Sequence, residues 1–236
     1  MLWYKAWLET RSRFLTCLAT LTIFCAVFVG HAQGLIRPEW KTDYNRLLFV
    51  TQQFIVTMWI LAVVLLGMGG IVRERAIGTS SLTLSLPVSR ARLLGIRVGV
   101  GVLEAIALAV VPWATVFLVS SLARMPILIS QVGFYVLLLI AGGSAYFAMA
   151  ILVSSLVESE YTAPAVAFGL VLLTAIVFDA WLRPFNLWRL LTGDFYIDRH
   201  TYLISWPFPW RGVLASMSAA ALMLSTSISV IQKREF

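Results

Sequence analysis

Charge is what this chain has least of. Only 12% of its 236 residues are Asp, Glu, Lys or Arg, about half the roughly 25% of an ordinary soluble domain. Hydrophobic residues make up 60%, and the mean hydropathy is +0.89. A water-soluble globular domain is excluded, and an integral membrane protein is implied. Cysteine is equally scarce: Cys17 and Cys25 both fall inside the first apolar run, two turns apart on one face. They read as small packing residues, with no disulfide framework and no metal site. The only histidines, His31 and His200, lie on separate polar segments, and no H-E-x-x-H or paired intramembrane aspartates occur. A membrane-embedded protease or acyl transferase therefore lacks its catalytic constellation. No G-x-x-x-x-G-K-[ST] phosphate loop appears either, since Gly67-Met68-Gly69-Gly70 has no lysine after it.

What is present is a set of long apolar runs. About 20 apolar residues cross a hydrocarbon core of about 30 Å. Six runs qualify, at residues 14–30, 49–72, 96–122, 128–156, 161–181 and 209–231. Backbone in hydrocarbon must satisfy its own hydrogen bonds, so the expected architecture is all-α, a single transmembrane domain over 1–236. Residues 2–13 read as an amphipathic helix lying in the membrane plane in preference to a cleaved signal, with Lys5, Glu9 and Ser12 on one face. The loop 182–208 is dense in aromatic residues and suits an interfacial belt.

The net charge of +7 does not point to nucleic acid, because the cations flank apolar runs instead of forming one face. Lys5, Arg11, Arg13, Arg73, Arg75, Arg90, Arg92, Arg97, Lys233 and Arg234 fall on one side of a six-span arrangement. Lysine and arginine beside span ends resist translocation, which places both termini and the segment 73–92 in the cytoplasm.

That segment, RERAIGTSSLTLSLPVSRAR, carries the most information. Gly78 is suited to a left-handed turn, Thr79 and Ser80 to capping a short helix, and Pro87 to ending it. Ser89 then caps the third span. A short capped helix held between two spans and flanked by arginines is built to dock a soluble partner.

Glu74-Arg75-x-x-Gly78-Thr79, followed by Leu84-Ser85-Leu86-Pro87-Val88-Ser89-Arg90, resembles the signature loop of type-two exporter membrane subunits of ATP-binding-cassette transporters. The resemblance extends along the whole plan of the chain. It implies a permease that moves an unidentified substrate with energy from a separate ATPase subunit, present in two copies and carrying ATP and Mg. It also implies a coupling helix within 73–92, where Arg73, Glu74, Arg75, Gly78, Thr79, Ser80, Pro87, Ser89 and Arg90 contact that ATPase. A second membrane subunit, forming a homodimer through spans one, two and five, and a prokaryotic inner membrane are expected as well. The chain itself carries no cofactor on this reading. A rival within the same plan is a mechanotransmitting subunit acting on lipids or on an extracytoplasmic partner.

Glu104 stands apart from all of this. It lies eight residues into span three, and an acid in hydrocarbon is a functional suspect by default. Gating and structural hydrogen bonding are both open to it, and no basic partner is visible in the other spans.

Overall fold

The computed structural model describes residues 2–33, 41–68, 90–125, 127–157, 162–181, 186–204 and 208–233. Among these, the chain forms helices α1 (Leu2–Gln33), α2 (Lys41–Gly67), α3 (Arg90–Leu122), α4 (Ile129–Leu137), α5 (Gly143–Leu156), α6 (Thr162–Trp181), α7 (Leu187–Thr192) and α8 (Trp210–Lys233). A π-helical turn, Leu138–Gly142, joins α4 to α5 in one continuous span. Six helices are long and apolar enough to cross a membrane. The described residues contain no strand, only an isolated bridge between Ile197 and Ile204.

Side-chain pairings give the directions of the helices. Trp3 meets Gly99, Thr10 meets Glu104 and Gly30 meets Val119, so α1 and α3 run parallel. Tyr44 pairs with Ser120, Gln52 with Trp113 and Trp59 with the Ala105 carbonyl, so α2 runs against them. The α4–α5 span runs alongside α2: Gly143 lies under the Trp59 ring and Gly67 against Ala150. These pairings put α2 and the α4–α5 span at the centre of the bundle. At Gly143 a Cβ would fall 2.3 Å from the indole, so only glycine admits this crossing. Spans α1, α6 and α8 are the least covered.

Two expectations change at the helix ends. The boundary between an in-plane helix at 2–13 and a span at 14–30 does not exist as a break: α1 runs unbroken from Leu2. Nothing in residues 2–29 is glycine or proline to interrupt it. Its 32 residues give a rod of about 48 Å, longer than the roughly 30 Å core, so its ends project beyond the hydrocarbon. The second span was expected at 49–72; α2 instead begins at Lys41 and is described as helix to Gly67, with residues 69–72 outside the described residues. Its polar first turns are recruited by packing, since Tyr44 is buried and donates to Ser120.

Candidate functional site

The two helices that carry segment 73–92 end at the same face of the bundle. Gly67, the last residue of α2, and Leu94 and Arg97, in the first turns of α3, line one small cavity of about 30 Å³. Arg73, Glu74, Arg75, Gly78, Thr79, Ser80, Pro87 and Ser89 lie outside the described residues; Arg90 is the first residue of α3. This face is called the loop end below.

The loop end is held by polar contacts between α1 and α3. Arg97 donates to Glu9 at 3.2 Å, and Glu9 also lies 3.9 Å from Lys5 one turn earlier on α1. The Arg97–Glu9 pair is partly exposed, so its net contribution stays below about 1 kcal/mol. One turn further along α1, Thr10 donates to Glu104 Oε1 at 2.5 Å. Glu104 is 3% exposed, and its second oxygen, Oε2, has no hydrogen-bond partner. Thr10 was invisible as a partner while residues 2–13 were read as lying in the membrane plane. A buried acid in span three calls for a hydrogen-bonding group at its level on a parallel helix, and Thr10 is the only aliphatic hydroxyl in residues 2–11.

The opposite face, the cap end, is built from the segment read as an aromatic belt. Part of that segment folds inward. Asn186 caps α7 by accepting from the Arg189 N–H at 3.3 Å, and Gly193, at φ +77°, closes it. Leu190, Leu191 and Thr192 are buried. Gln52, itself buried in α2, donates to the Leu191 carbonyl at 2.8 Å and accepts from Trp113 Nε1 at 3.0 Å. Trp113 stacks on Tyr135 with centroids 4.7 Å apart. Ser216 of α8 donates to the Gly142 carbonyl within the π turn at 2.5 Å. Gln131 accepts from the Ile204 N–H at 3.0 Å. Asp179, near the end of α6, pairs with Arg189 at 2.7 Å. Beyond the bundle, the Asp198 carboxyl accepts from the His200 N–H and the Thr201 hydroxyl, which hold it below its ordinary range. The sequence signal for this network is Thr51-Gln52-Gln53, three polar residues in an apolar run.

Chemically, neither end offers a nucleophile with an adjacent base, and no three His, Cys, Asp or Glu residues cluster for a metal among the described residues. The loop end offers a buried acid, an ion pair and a small cavity. Residues 13–189 match the family described as ABC-2 family transporter protein. A comparison with curated proteins finds no match. The matched region covers about three quarters of the chain and includes both helices of the loop end. The chain belongs to this family of transporter membrane subunits, an integral membrane component of transport whose members work with ATP-binding partners and are not themselves the ATPase.

Proposed function

We propose that this chain is the permease subunit of an ATP-binding-cassette exporter, driven through segment 73–92 by a separate ATPase. The observation that carries the reading is the convergence of both helices bearing that segment on one cavity, with α1 clamped to α3 beside it. A push on the segment acts on Gly67 and Arg90 together, and through Arg97 and Glu104 on α1. On this reading the loop end faces the cytoplasm of a prokaryotic inner membrane and both termini lie there.

Two ATPase copies require two membrane subunits, and a homodimer through α1, α2 and α6 supplies them. In support, Ile23 of α1, Phe54 and Leu61 of α2, and Leu172 and Ile176 of α6 are apolar and exposed. Cysteines introduced on these faces should trap the dimer, and a functional complex with a single six-span chain would contradict it.

The test of the main reading is charge reversal, Glu74→Arg with Arg75→Glu, in the complex purified with its native ATPase. Loss of co-purification or of coupled ATP hydrolysis is expected. Unchanged assembly and unchanged coupled transport would overturn the assignment. Stimulation of hydrolysis across candidate drugs, lipids, peptides and glycans then identifies the substrate.

A further inference from the structure

We propose that Glu104 and Thr10 form a proton-binding site in the seam between α1 and α3. Glu104 carries a proton while the helices are packed together and releases it when they part. The site rests on three observations. Glu104 is 3% exposed, and among the described residues its only hydrogen-bond partner is a neutral hydroxyl and its Oε2 has none. A carboxylate so placed would lack the cation or the several donors that offset its lost hydration, whereas a neutral acid needs neither.

The hydroxyl geometry suits the acid form. Thr10 Oγ1 lies 2.5 Å from Glu104 Oε1 and 3.3 Å from the Ala6 carbonyl four residues back. In the acid form the bond to Glu104 runs the other way: Glu104 donates to Thr10 Oγ1, and Thr10 turns its one hydrogen to the Ala6 carbonyl, as helical threonines commonly do.

An exit for the proton adjoins the pair. Thr10 also lines the cavity of about 30 Å³, together with Glu9, Arg97 and Ser154. That volume holds one or two waters at about 10–15 Å³ each, and these side chains supply the polar partners such waters need. Release therefore breaks the O–H bond of Glu104: its proton passes to Thr10 Oγ1 as Thr10's own hydrogen swings from the Ala6 carbonyl and passes to cavity water, leaving the carboxylate and a hydrated proton. No electron moves.

Other charges on this seam do not replace the proton. Among the described residues, α1 contributes Lys5 and Glu9 and α3 contributes Arg97, which is already engaged with Glu9. The central helices contribute Leu66, Phe147, Ile151 and Ser154 to the cavity, and none of them titrates. Arg13, one turn beyond Thr10, lines a separate groove with Leu65, Met68 and Pro164. Thr10 and Glu104 lie on different helices, so proton occupancy and helix packing are linked: parting α1 from α3 would hydrate Glu104 and favour release, and protonation favours closure.

Infrared spectroscopy of the full chain in lipid nanodiscs at neutral pH tests this. The wild type should show the carbonyl stretch of a neutral carboxyl. The band should vanish in Glu104→Gln and shift in Thr10→Val, a volume-conserving change that leaves the acid in place. As pH rises, the acid-to-carboxylate ratio should fall about tenfold per unit as a single proton leaves. Amide exchange protection of residues 2–13 should fall with the same midpoint in the wild type and stay flat in Glu104→Gln. Absence of the band in the wild type, or its persistence in Glu104→Gln, would overturn the site. Protection that does not follow the titration would overturn the link to packing.

Discussion

The two ends of the bundle are joined by different chemistry. At the cap end, neutral side chains reach buried backbone groups, Gln52 to Leu191, Ser216 to Gly142 and Gln131 to Ile204, while the Asp179–Arg189 ion pair lies at the partly exposed margin. At the loop end, the joining groups are the ions Arg97 and Glu9 and the acid Glu104, each on a long side chain. A neutral donor aimed at a buried carbonyl has no good alternative, so the contact is effectively fixed. A partly exposed ion pair exchanges its partner for water at little cost. The fold therefore makes one end rigid and the other adjustable, and the adjustable end carries the basic loop.

The contrast is most open to attack at Trp113, which joins α3 to the cap network. Trp113→Ala removes the stack on Tyr135 and the donor to Gln52, and should destabilise the protein by about 3–5 kcal/mol in denaturant unfolding. Gln52→Leu leaves the Trp113 N–H and the Leu191 carbonyl unpaired and should cost about 1–3 kcal/mol by the same measurement. At the loop end the scale should drop. Arg97→Gln should cost less than about 1 kcal/mol. Glu104→Gln, which keeps a hydrogen-bonding group opposite Thr10, should change stability by about 0.6 kcal/mol or less. A loop-end variant as damaging as Gln52→Leu would erase the distinction.

The smallest effect lies outside the bundle, at Asp198. Its carboxyl is held below the ordinary range by the His200 N–H and the Thr201 hydroxyl. A depressed folded-state value means the contribution is fully present above about pH 3.9, the unfolded range, and is lost as pH falls through the lower folded value. Exchange of the amides around the Ile197–Ile204 bridge should be insensitive to Asp198 protonation at neutral pH and should quicken only in strong acid. Asp198→Asn should abolish that acid step.

How much of this was readable beforehand differed between the ends. The six spans followed from hydropathy, because hydrocarbon imposes length and apolarity on any crossing helix. Glu104 was legible as a singular residue for the same reason. Its partner was not, because splitting α1 at residue 13 put Thr10 outside the bundle, and parallel packing of α1 on α3 is a tertiary fact. The start of α2 was obscured by Asp43, Asn45 and Arg46, polar residues that interrupt hydropathy without interrupting a helix. The cap was the least legible part. Six residues, Leu187–Thr192, are too few for a period to declare a buried face, and the surrounding aromatics gave the signal of an interface instead.

The account stands on the claim that ATP-driven movement enters at the loop end and leaves the cap in place. Hydrogen exchange of the assembled complex, with and without ATP, measures this directly. Exchange should change in residues 2–13 and 69–104 and remain the same in 186–204. Nucleotide-dependent exchange in 186–204, with 2–13 and 69–104 unaltered, would contradict it.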